Sequence, residues 1–305
     1  MKVLITGARG FVGRHVSNYL KGRGFGVVRT DARSADITGD LLDNDFVFSK
    51  LKSIDFDAVV HLAAITDMKK TIEDPYTCYR VNDFSTLNML ELASRKNCDR
   101  FVYASSANVY GLPLELPVKE TTPFNPRLPY DYSKVIGEHL INSYSKHKGL
   151  PSTILRSWKL FGELDLPTTA IPRFIKACLN DEPIPLYNGG RDTTDPYYVG
   201  NYCRAVELCL TKKEAKNEAF NIGTGSELSI RELAERIKSF TGSRSEIQLL
   251  PPRSPLEAEP MRSYPSIDKI RKKLGYEPLI GFEEGLKRTV DWISEQMKSD
   301  SMPHT

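Results

Sequence analysis

The first half of the chain alternates short β-branched runs with longer segments in which apolar residues recur at helical spacing. Runs that are apolar on both faces predict buried strands; they cover residues 2–5, 26–30, 58–62, 100–103 and 152–156. Between the first two, Val12, Val16, Tyr19 and Leu20 predict a helix that ends at Gly22. Strands buried on both faces and separated by helices indicate a parallel sheet between two helical layers.

After residue 160 the pattern becomes less regular and prolines become more frequent. Helices are still predicted. Ser229 and Glu232 have the spacing of a capping box at a helix start, and a last helix places Phe282, Leu286 and Val290 on one side. We therefore predict an α/β protein, a Rossmann-type doubly wound parallel sheet with a smaller mixed α/β C-terminal domain.

Charge and composition exclude several classes of protein. The 305 residues contain 42 Lys and Arg against 39 Asp and Glu, a net charge of +3, and 40% are hydrophobic. This balance gives no basic surface for nucleic acid or an anionic membrane, and no apolar run approaches the ~20 residues of a spanning helix. The five cysteines lack the spacing of metal ligands. We expect a cytoplasmic protein without a metal and without nucleic-acid or membrane partners.

The first predicted strand leads directly into three glycines, Gly7, Gly10 and Gly13, and a helix follows at once. Glycines at this turn allow the backbone to approach a pyrophosphate, whose charge the free N–H groups of the helix start can bind. Asp31 ends the second strand, where a carboxylate binds the ribose hydroxyls of NAD and repels the 2′-phosphate of NADP. The pattern predicts an NAD site.

Three further residues bear on the cofactor. Arg9 and Arg33 are close in sequence to the glycine turn and to Asp31, and guanidinium groups there can accept a 2′-phosphate. Because Asp31 ends the strand, we expect it to dominate and NAD to be preferred. Asp40 follows a short strand and can reach the adenine amino group, although a loop aspartate without that role explains it equally well.

Tyr130 and Lys134 stand four residues apart, so on a helix they share one face. An ammonium group beside a phenol, with a positive nicotinamide nearby, favours the phenolate and lowers the phenol pKa from about 10. A serine hydroxyl in the segment Ser105–Ser106 can hold the substrate oxygen. Together these groups can move a proton on an alcohol carbon while hydride passes to or from the nicotinamide.

The sequence resembles the extended short-chain dehydrogenase/reductase superfamily, specifically its NAD-dependent nucleotide-sugar epimerase/dehydratase family. The resemblance extends over essentially the whole chain. Its motifs are Thr6-Gly7-x-x-Gly10-x-x-Gly13, His61-Leu62-Ala63-Ala64, Val81-Asn82, Ser105-Ser106-Ala107, Val109-Tyr110-Gly111, Glu120-x-x-Pro123-x-x-Pro126, Tyr130-x-x-x-Lys134, Leu155-Arg156, Phe220-Asn221-Ile222-Gly223-Thr224-Gly225 and Leu274-Gly275-Tyr276-Glu277-Pro278.

The resemblance implies a role for each matching residue. Ser106, Tyr130 and Lys134 are implied as the catalytic triad. The implied cofactor-binding residues are Gly7, Gly10, Phe11, Val12, Asp31, Asp40, Leu41, Ala63, Asn82, Tyr130 and Lys134. Residues 1–158 with about 194–222 are expected to form the NAD-binding domain, and residues 159–193 with 223–305 the substrate-binding domain. A homodimer is implied, paired through the helix after Asn82 and the helix that carries Tyr130.

The chain also departs from the family pattern. Lys159 stands where many members have an asparagine that contacts the sugar diphosphate, and Thr194 stands at a usual arginine. Lys159, Arg191 and Arg262 can supply the lost charge, with Ser106 as a further substrate-binding residue; solvated surface cations are the alternative for the three cations. The acid pair that follows the hydroxyl residue in 4,6-dehydratases is replaced by Ala107 and Asn108.

The leading hypothesis is an NAD-dependent nucleotide-sugar epimerase that acts at C4 of a UDP-sugar-like substrate through a keto intermediate. One alternative is a keto-sugar reductase, which would use the same triad but consume NADH or NADPH. Another is a dinucleotide-binding regulatory protein on a degenerate scaffold, which suits the altered diphosphate positions but not the intact triad. Fold alone does not separate these functions.

Overall fold

The computed structural model describes residues 1–165, 167–252 and 258–300, with the side chain of residue 300 excepted. The strands are β1 Lys2–Thr6, β2 Gly26–Asp31, β3 Ile37–Thr38, β4 Ala58–His61, β5 Arg100–Ser106, β6 Ser152–Ser157, β7 Lys159–Phe161, β8 Ile184–Tyr187, β9 Thr193–Thr194, β10 Pro196–Tyr198, β11 Glu218–Ile222, β12 Leu228–Ser229 and β13 Ile247–Leu250. The α-helices are α1 Phe11–Gly22, α2 Met68–Glu73, α3 Pro75–Tyr79, α4 Ser85–Arg95, α5 Pro129–Lys148, α6 Ala170–Leu179, α7 Val199–Thr211, α8 Ile230–Thr241, α9 Asp268–Leu274 and α10 Phe282–Asp300. Two π-helical turns span Phe46–Leu51 and Arg80–Phe84.

Seven parallel strands form the central sheet in the order β3-β2-β1-β4-β5-β6-β11. The five predicted strands are all in it, which confirms the predicted doubly wound sheet. The chain order reverses between β1 and β4, whose ends align Thr6 with His61. In such sheets ligands bind beyond the carboxyl ends of the strands at this reversal. The fold therefore places its binding crevice just after β1 and β4.

The two faces of the sheet are buried against different helices because successive strand residues point to opposite sides. In β1, Val3 and Ile5 join a hydrophobic cluster that includes residues of α1, α7 and α9. Leu4, between them, joins the opposite cluster with residues of α4 and α5. This three-layer arrangement explains why the strand sequences are apolar on both faces.

A third hydrophobic cluster lies in the C-terminal region, where α6, α8 and α10 pack around β8. The predicted capping box begins α8: the Ser229 Oγ accepts from the Glu232 N–H, and the Glu232 carboxylate accepts from the Ser229 N–H. The predicted apolar side of the last helix packs into this cluster. Helix α9 instead joins a cluster at the central sheet. The boundary between two domains stays a prediction, and residues 301–305 lie outside the described part.

Three short two-stranded pairs complete the C-terminal region: β7 with β10, β8 with β13, and β9 with β12. The first of these joins residues just after β6 to residues just before α7. Across the described ranges, no helix has an apolar stretch long enough to cross a bilayer.

Candidate active site

A cavity of about 1910 Å³ opens at the carboxyl ends of the central strands. It extends from the glycine turn after β1 to β7 and β9. The predicted site residues that line it are Gly7, Gly10, Phe11, Val12, Asp31, Asp40, Leu41, Ala63, Ser106, Tyr130, Lys134 and Lys159. Asn82, Arg191 and Arg262 are described by the structure but are not part of its lining. One cavity thus contains the predicted triad and the predicted cofactor residues apart from Asn82.

The glycine turn is packed too closely for side chains. Gly7 has φ +64°, and a Cβ there would lie 2.8 Å from the Ala63 nitrogen. A Cβ on Gly13 would lie 2.2 Å from the Gly7 carbonyl oxygen. Helix α1 starts at Phe11 after Gly10, which supplies no side-chain cap. The first N–H groups of α1 are therefore available to an anion, and the turn fits the diphosphate of a dinucleotide.

Asp31 lies at the end of β2, and its position is fixed by two backbone donors. The N–H of Arg9 donates to Oδ2 at 3.0 Å and the N–H of Arg33 to Oδ1 at 3.2 Å. The two arginines thus contact Asp31 through their backbone. The Oδ1 of Asp40 accepts from the N–H of Leu42 at 2.9 Å, within its own turn. Asp31 keeps a carboxylate at the edge of the cavity, where the ribose of NAD is expected.

Asn82 is 1% exposed and supports the cavity wall from behind. Its Oδ1 accepts from the Ile65 N–H at 2.7 Å, and its Nδ2 donates to the Ile65 carbonyl at 3.1 Å and to the Ser133 Oγ at 3.0 Å. Ile65 itself lines the cavity. A direct contact of Asn82 with the cofactor stays a prediction. In the structure, the hydrogen bonds of Asn82 link the loop after β4 to helix α5.

The three predicted catalytic residues meet where β5 ends and α5 begins. The Ser106 Oγ accepts from the Asn108 N–H at 3.2 Å, and the Ser106 hydroxyl lowers the pKa of Tyr130. Tyr130 lies in the first turn of α5 and Lys134 one turn later, as predicted. The Lys134 Nζ donates to the Ala104 carbonyl at 2.8 Å and lies 5.7 Å from the centre of the Tyr130 ring. All three side chains line the same cavity.

Burial dominates the acidity of this pair. It raises the pKa of Tyr130 to about 12, and the Ser106 hydroxyl opposes this rise. It lowers the pKa of Lys134 to about 8, opposed first by the charge of Asp83. In the protein alone the phenol of Tyr130 therefore stays protonated at neutral pH, and Lys134 by itself does not lower the pKa of this phenol to the neutral range. The expected shift needs a further positive charge, which a nicotinamide ring would bring.

Sequence reasoning missed the residues that fix α5 against the sheet. Glu138 follows Lys134 by one turn and forms a buried ion pair with Arg156 of β6, at 2.7 Å. It also accepts from the Ser105 Oγ at 2.6 Å, and Arg156 donates to the Tyr110 Oη at 2.6 Å. The spacing of Tyr130, Lys134 and Glu138 along one helix face was the available signal. This network holds the strand end of Ser106 and the helix of Tyr130 in register.

Of the cations predicted to bind substrate, Lys159 lines the cavity, and burial lowers its pKa while the charge of Asp165 opposes this. Arg262 is bound through two hydrogen bonds to Glu227, at 2.8 and 2.7 Å. Arg191 donates to the side chain and the carbonyl of Asn188 and to the Ala258 carbonyl. Both arginines are held by local acceptors outside the cavity lining.

Comparison with known proteins agrees with this geometry. Residues 3–223 match the sequence profile of the NAD dependent epimerase/dehydratase family. A Methanocaldococcus jannaschii protein with the provisional name UDP-glucose 4-epimerase is 33% identical, covering 97% of this chain and 100% of the relative. A Streptomyces niveus dTDP-glucose 4,6-dehydratase is 30% identical, covering 97% and 93%. The structure of UDP-glucose 4-epimerase from Thermotoga maritima superimposes with a TM-score of 0.91 at 27% identity, covering 97% and 100%.

These matches confirm the family predicted from the sequence motifs and, with it, NAD as the cofactor. The chain belongs to the NAD-dependent epimerase/dehydratase family of nucleotide-sugar enzymes.

Proposed function

We propose that the protein is a nucleotide-sugar epimerase that inverts C4 of a UDP-sugar-like substrate. The observation that carries this proposal is one continuous cavity that joins the glycine turn to Ser106, Tyr130 and Lys134, next to Ala107 and Asn108 rather than a pair of acids. The glycine turn and the triad suit the transfer of a hydride and a proton at one alcohol carbon. Ala107 and Asn108 stand in place of the two acids that elimination of water requires.

In the proposed reaction the Tyr130 Oη takes the proton of the sugar C4 hydroxyl, and the Ser106 hydroxyl holds the same oxygen. Bound NAD supplies the hydride acceptor and, after reduction, the donor. Lys134 contributes a positive charge that stabilises the deprotonated Tyr130. The keto sugar then rotates and accepts hydride on its other face, while Tyr130 returns the proton.

The same geometry argues against a dehydratase. Elimination of water needs groups that deprotonate C5 and protonate the C6 hydroxyl, and neither Ala107 nor the amide of Asn108 can exchange a proton at neutral pH. Asp131 is a nearby carboxylate, but Oδ1 accepts from Asn108 and Oδ2 from the N–H groups of Arg127 and Leu128. Asp131 thus serves as an acceptor at the start of α5. We expect no 4-keto-6-deoxy product from any nucleotide hexose.

For the diphosphate we propose Lys159 as the main cation, because it lines the cavity and is desolvated. Thr194 lines the same end and can donate a hydroxyl. The predicted contributions of Arg191 and Arg262 require both arginines to exchange their present acceptors for the substrate. Lys159→Met should therefore raise KM more than either Arg191→Met or Arg262→Met.

The deciding experiment incubates the purified protein with UDP-glucose, UDP-galactose or UDP-glucuronic acid, without added cofactor, and follows the products by NMR. An epimerase interconverts two C4 epimers and keeps absorbance at 340 nm constant apart from an amount comparable to the enzyme. A reductase instead consumes NADH or NADPH in proportion to a keto-sugar substrate. The second result, or a 4-keto-6-deoxy sugar, would refute the proposal.

We further propose that the protein is a cytoplasmic homodimer. Phe84, Tyr132 and Ile136 are exposed by 58%, 48% and 40%. Phe84 immediately precedes α4, and the other two residues lie on α5. Leu90 and Leu92, farther along α4, are fully buried in the monomer and so serve its core. Sedimentation equilibrium should give a dimer that Ile136→Arg dissociates. Leu279→Arg, at a residue 74% exposed elsewhere, is the matched control.

A further inference from the structure

Helix α1, which begins at the glycine turn, is held to the C-terminal region by a histidine that the proposed reaction does not use. The Nε2 of His15 lies 2.7 Å from the carbonyl oxygen of Glu163, 148 residues farther along the chain. Because a carbonyl oxygen can only accept a hydrogen bond, Nε2 is the donor. This hydrogen bond connects the helix that is expected to bind the diphosphate of NAD to the turn of residues 162–165.

A second residue of α1 makes contact with the same region. Phe11 is the first residue of α1, and it packs against the C-terminal hydrophobic cluster. His15 follows Phe11 by one helical turn, so the two side chains share one face of the helix. Their rings meet edge to face, with centres 5.6 Å apart. Phe11 thus supplies an apolar contact and His15 a directional hydrogen bond, and together they fix the start of α1 against the C-terminal region.

The turn of residues 162–165 is fixed on its own side as well. The Tyr198 Oη donates to the Glu163 carboxylate, at 3.0 Å from Oε1 and 2.8 Å from Oε2, and Tyr198 is buried. Leu164 has φ +67°, a conformation that a bulky residue adopts only where its surroundings impose it. Because both its side chain and its backbone are constrained, the turn presents the Glu163 carbonyl in a fixed direction.

The helix and the turn both contribute to the wall of the cavity. At the start of α1, Phe11 lines the cavity. At the end of the turn, Asp165 lines it as well, and its Oδ2 accepts from the Oγ1 of Thr169, the residue before α6, at 3.0 Å. The hydrogen bond of His15 therefore joins two parts of one cavity wall, and separation of these parts would widen the cavity.

We propose that His15 is a positioning residue, which holds the start of α1 against the turn of residues 162–165 and so slows the release of NAD from the cavity. His15 is described by the structure but is not part of the cavity lining, so it acts through the helix whose first N–H groups are expected to bind the diphosphate. NAD is the cofactor of the family, and this role therefore does not depend on which sugar the enzyme converts.

The test measures how fast the cofactor leaves the protein. The protein is loaded with NADH and mixed with an excess of NAD, and the change in nicotinamide fluorescence gives the release rate. In His15→Asn the side chain is too short to reach the Glu163 carbonyl, so release should be about 2- to 10-fold faster, the change expected from loss of one hydrogen bond. His15→Gln, whose amide nitrogen can take the place of Nε2, should restore the wild-type rate. Unchanged release in His15→Asn, or equally fast release in His15→Gln, would overturn the proposal.

A second hydrogen bond of α1 provides the matched control. The Tyr19 Oη donates to the Glu207 Oε2 on α7, also at 2.7 Å, and both residues are described by the structure but lie outside the cavity lining. Tyr19→Phe therefore removes one hydrogen bond between α1 and another element and leaves the turn of residues 162–165 in place. Both substitutions should lower the unfolding free energy slightly, whereas only His15→Asn should release the cofactor faster. Equal acceleration in the two variants would show that His15 only stabilises the fold.

If His15→Asn does not fold, His15→Leu decides the question, because it also lacks the donor but keeps an apolar side chain beside Phe11. Release at the wild-type rate in His15→Leu would contradict the proposal. None of these measurements requires a sugar substrate. If release becomes faster but no epimerisation is found, the proposed function fails and the role of His15 stands. If epimerisation is found and release does not change, the role of His15 alone is wrong.

Discussion

Gly13→Ala should destabilise the protein, because the glycine turn leaves no room for a side chain, even though alanine has the stronger intrinsic preference for a helix. An alanine inside a helix normally stabilises it by up to about 1 kcal/mol relative to glycine. Here the new Cβ would lie 2.2 Å from the Gly7 carbonyl oxygen and 2.7 Å from the Ala8 Cα. These are backbone atoms of a turn with positive φ at Gly7, so they cannot move aside as a side chain would. Overpacking of this kind costs roughly 1–3 kcal/mol, and it outweighs the helix preference.

The displaced turn also carries the N–H groups expected to hold the diphosphate, so NAD affinity should fall together with stability. Chemical unfolding measures the stability, and calorimetry with NAD measures the affinity. Gly22→Ala, near the end of the same helix, is the matched control because nothing lies within 4 Å of its added Cβ. It should be neutral or slightly stabilising and leave NAD binding intact. If Gly13→Ala keeps wild-type stability and wild-type NAD affinity, the glycine turn is not too closely packed for a side chain, and our interpretation of it is wrong.

Three further substitutions test the other parts of the site. Tyr130→Phe should lower kcat by about 10²–10⁴-fold and retain NAD, because only the proton carrier is lost; steady-state kinetics and the NAD content of the purified protein check this. Asp31→Ala should weaken NAD binding and reduce the preference over NADP in calorimetry, and tighter binding of NADP by the wild type would contradict the role of Asp31. Glu138→Gln should cost about 3–5 kcal/mol of unfolding free energy because it leaves Arg156 buried without its counter-charge, and an unchanged denaturation midpoint would refute that assignment.

The central sheet could be predicted because the sequences of its strands show that both of their faces are buried. A run such as Val59 and Val60 is apolar on both faces, and only a strand between two layers buries both. Strand β11 was not predicted as a strand, because Glu218 and Asn221 interrupt its apolar pattern. It is placed by pairing with β6, which lies far away in sequence. The two-residue strands of the C-terminal region depend on tertiary pairing in the same way.

Within the site, position along one element was predictable and charge balance was not. Tyr130 and Lys134 face the same cavity because they share one helix, which spacing alone reveals. Arg262 looked equally suited to bind a diphosphate, but Glu227 holds it at the end of a different segment. A partner that comes from another part of the chain decides whether a cation is available, and sequence spacing does not contain that information.

Helix α5 shows why chemistry and stability are difficult to separate in this protein. Tyr130, Lys134 and Glu138 follow one another at one-turn intervals on the same buried face. In the proposed reaction the first carries the proton and the second carries the charge that favours its transfer. The third fixes the helix to β5 and β6 through Ser105 and Arg156. A change at Glu138 therefore moves the tyrosine and the lysine against the strand end that holds Ser106. Loss of activity in such a variant would accompany loss of stability, whereas a change at Tyr130 removes activity alone. This contrast identifies which residues of the helix act on the substrate and which only hold the helix in place.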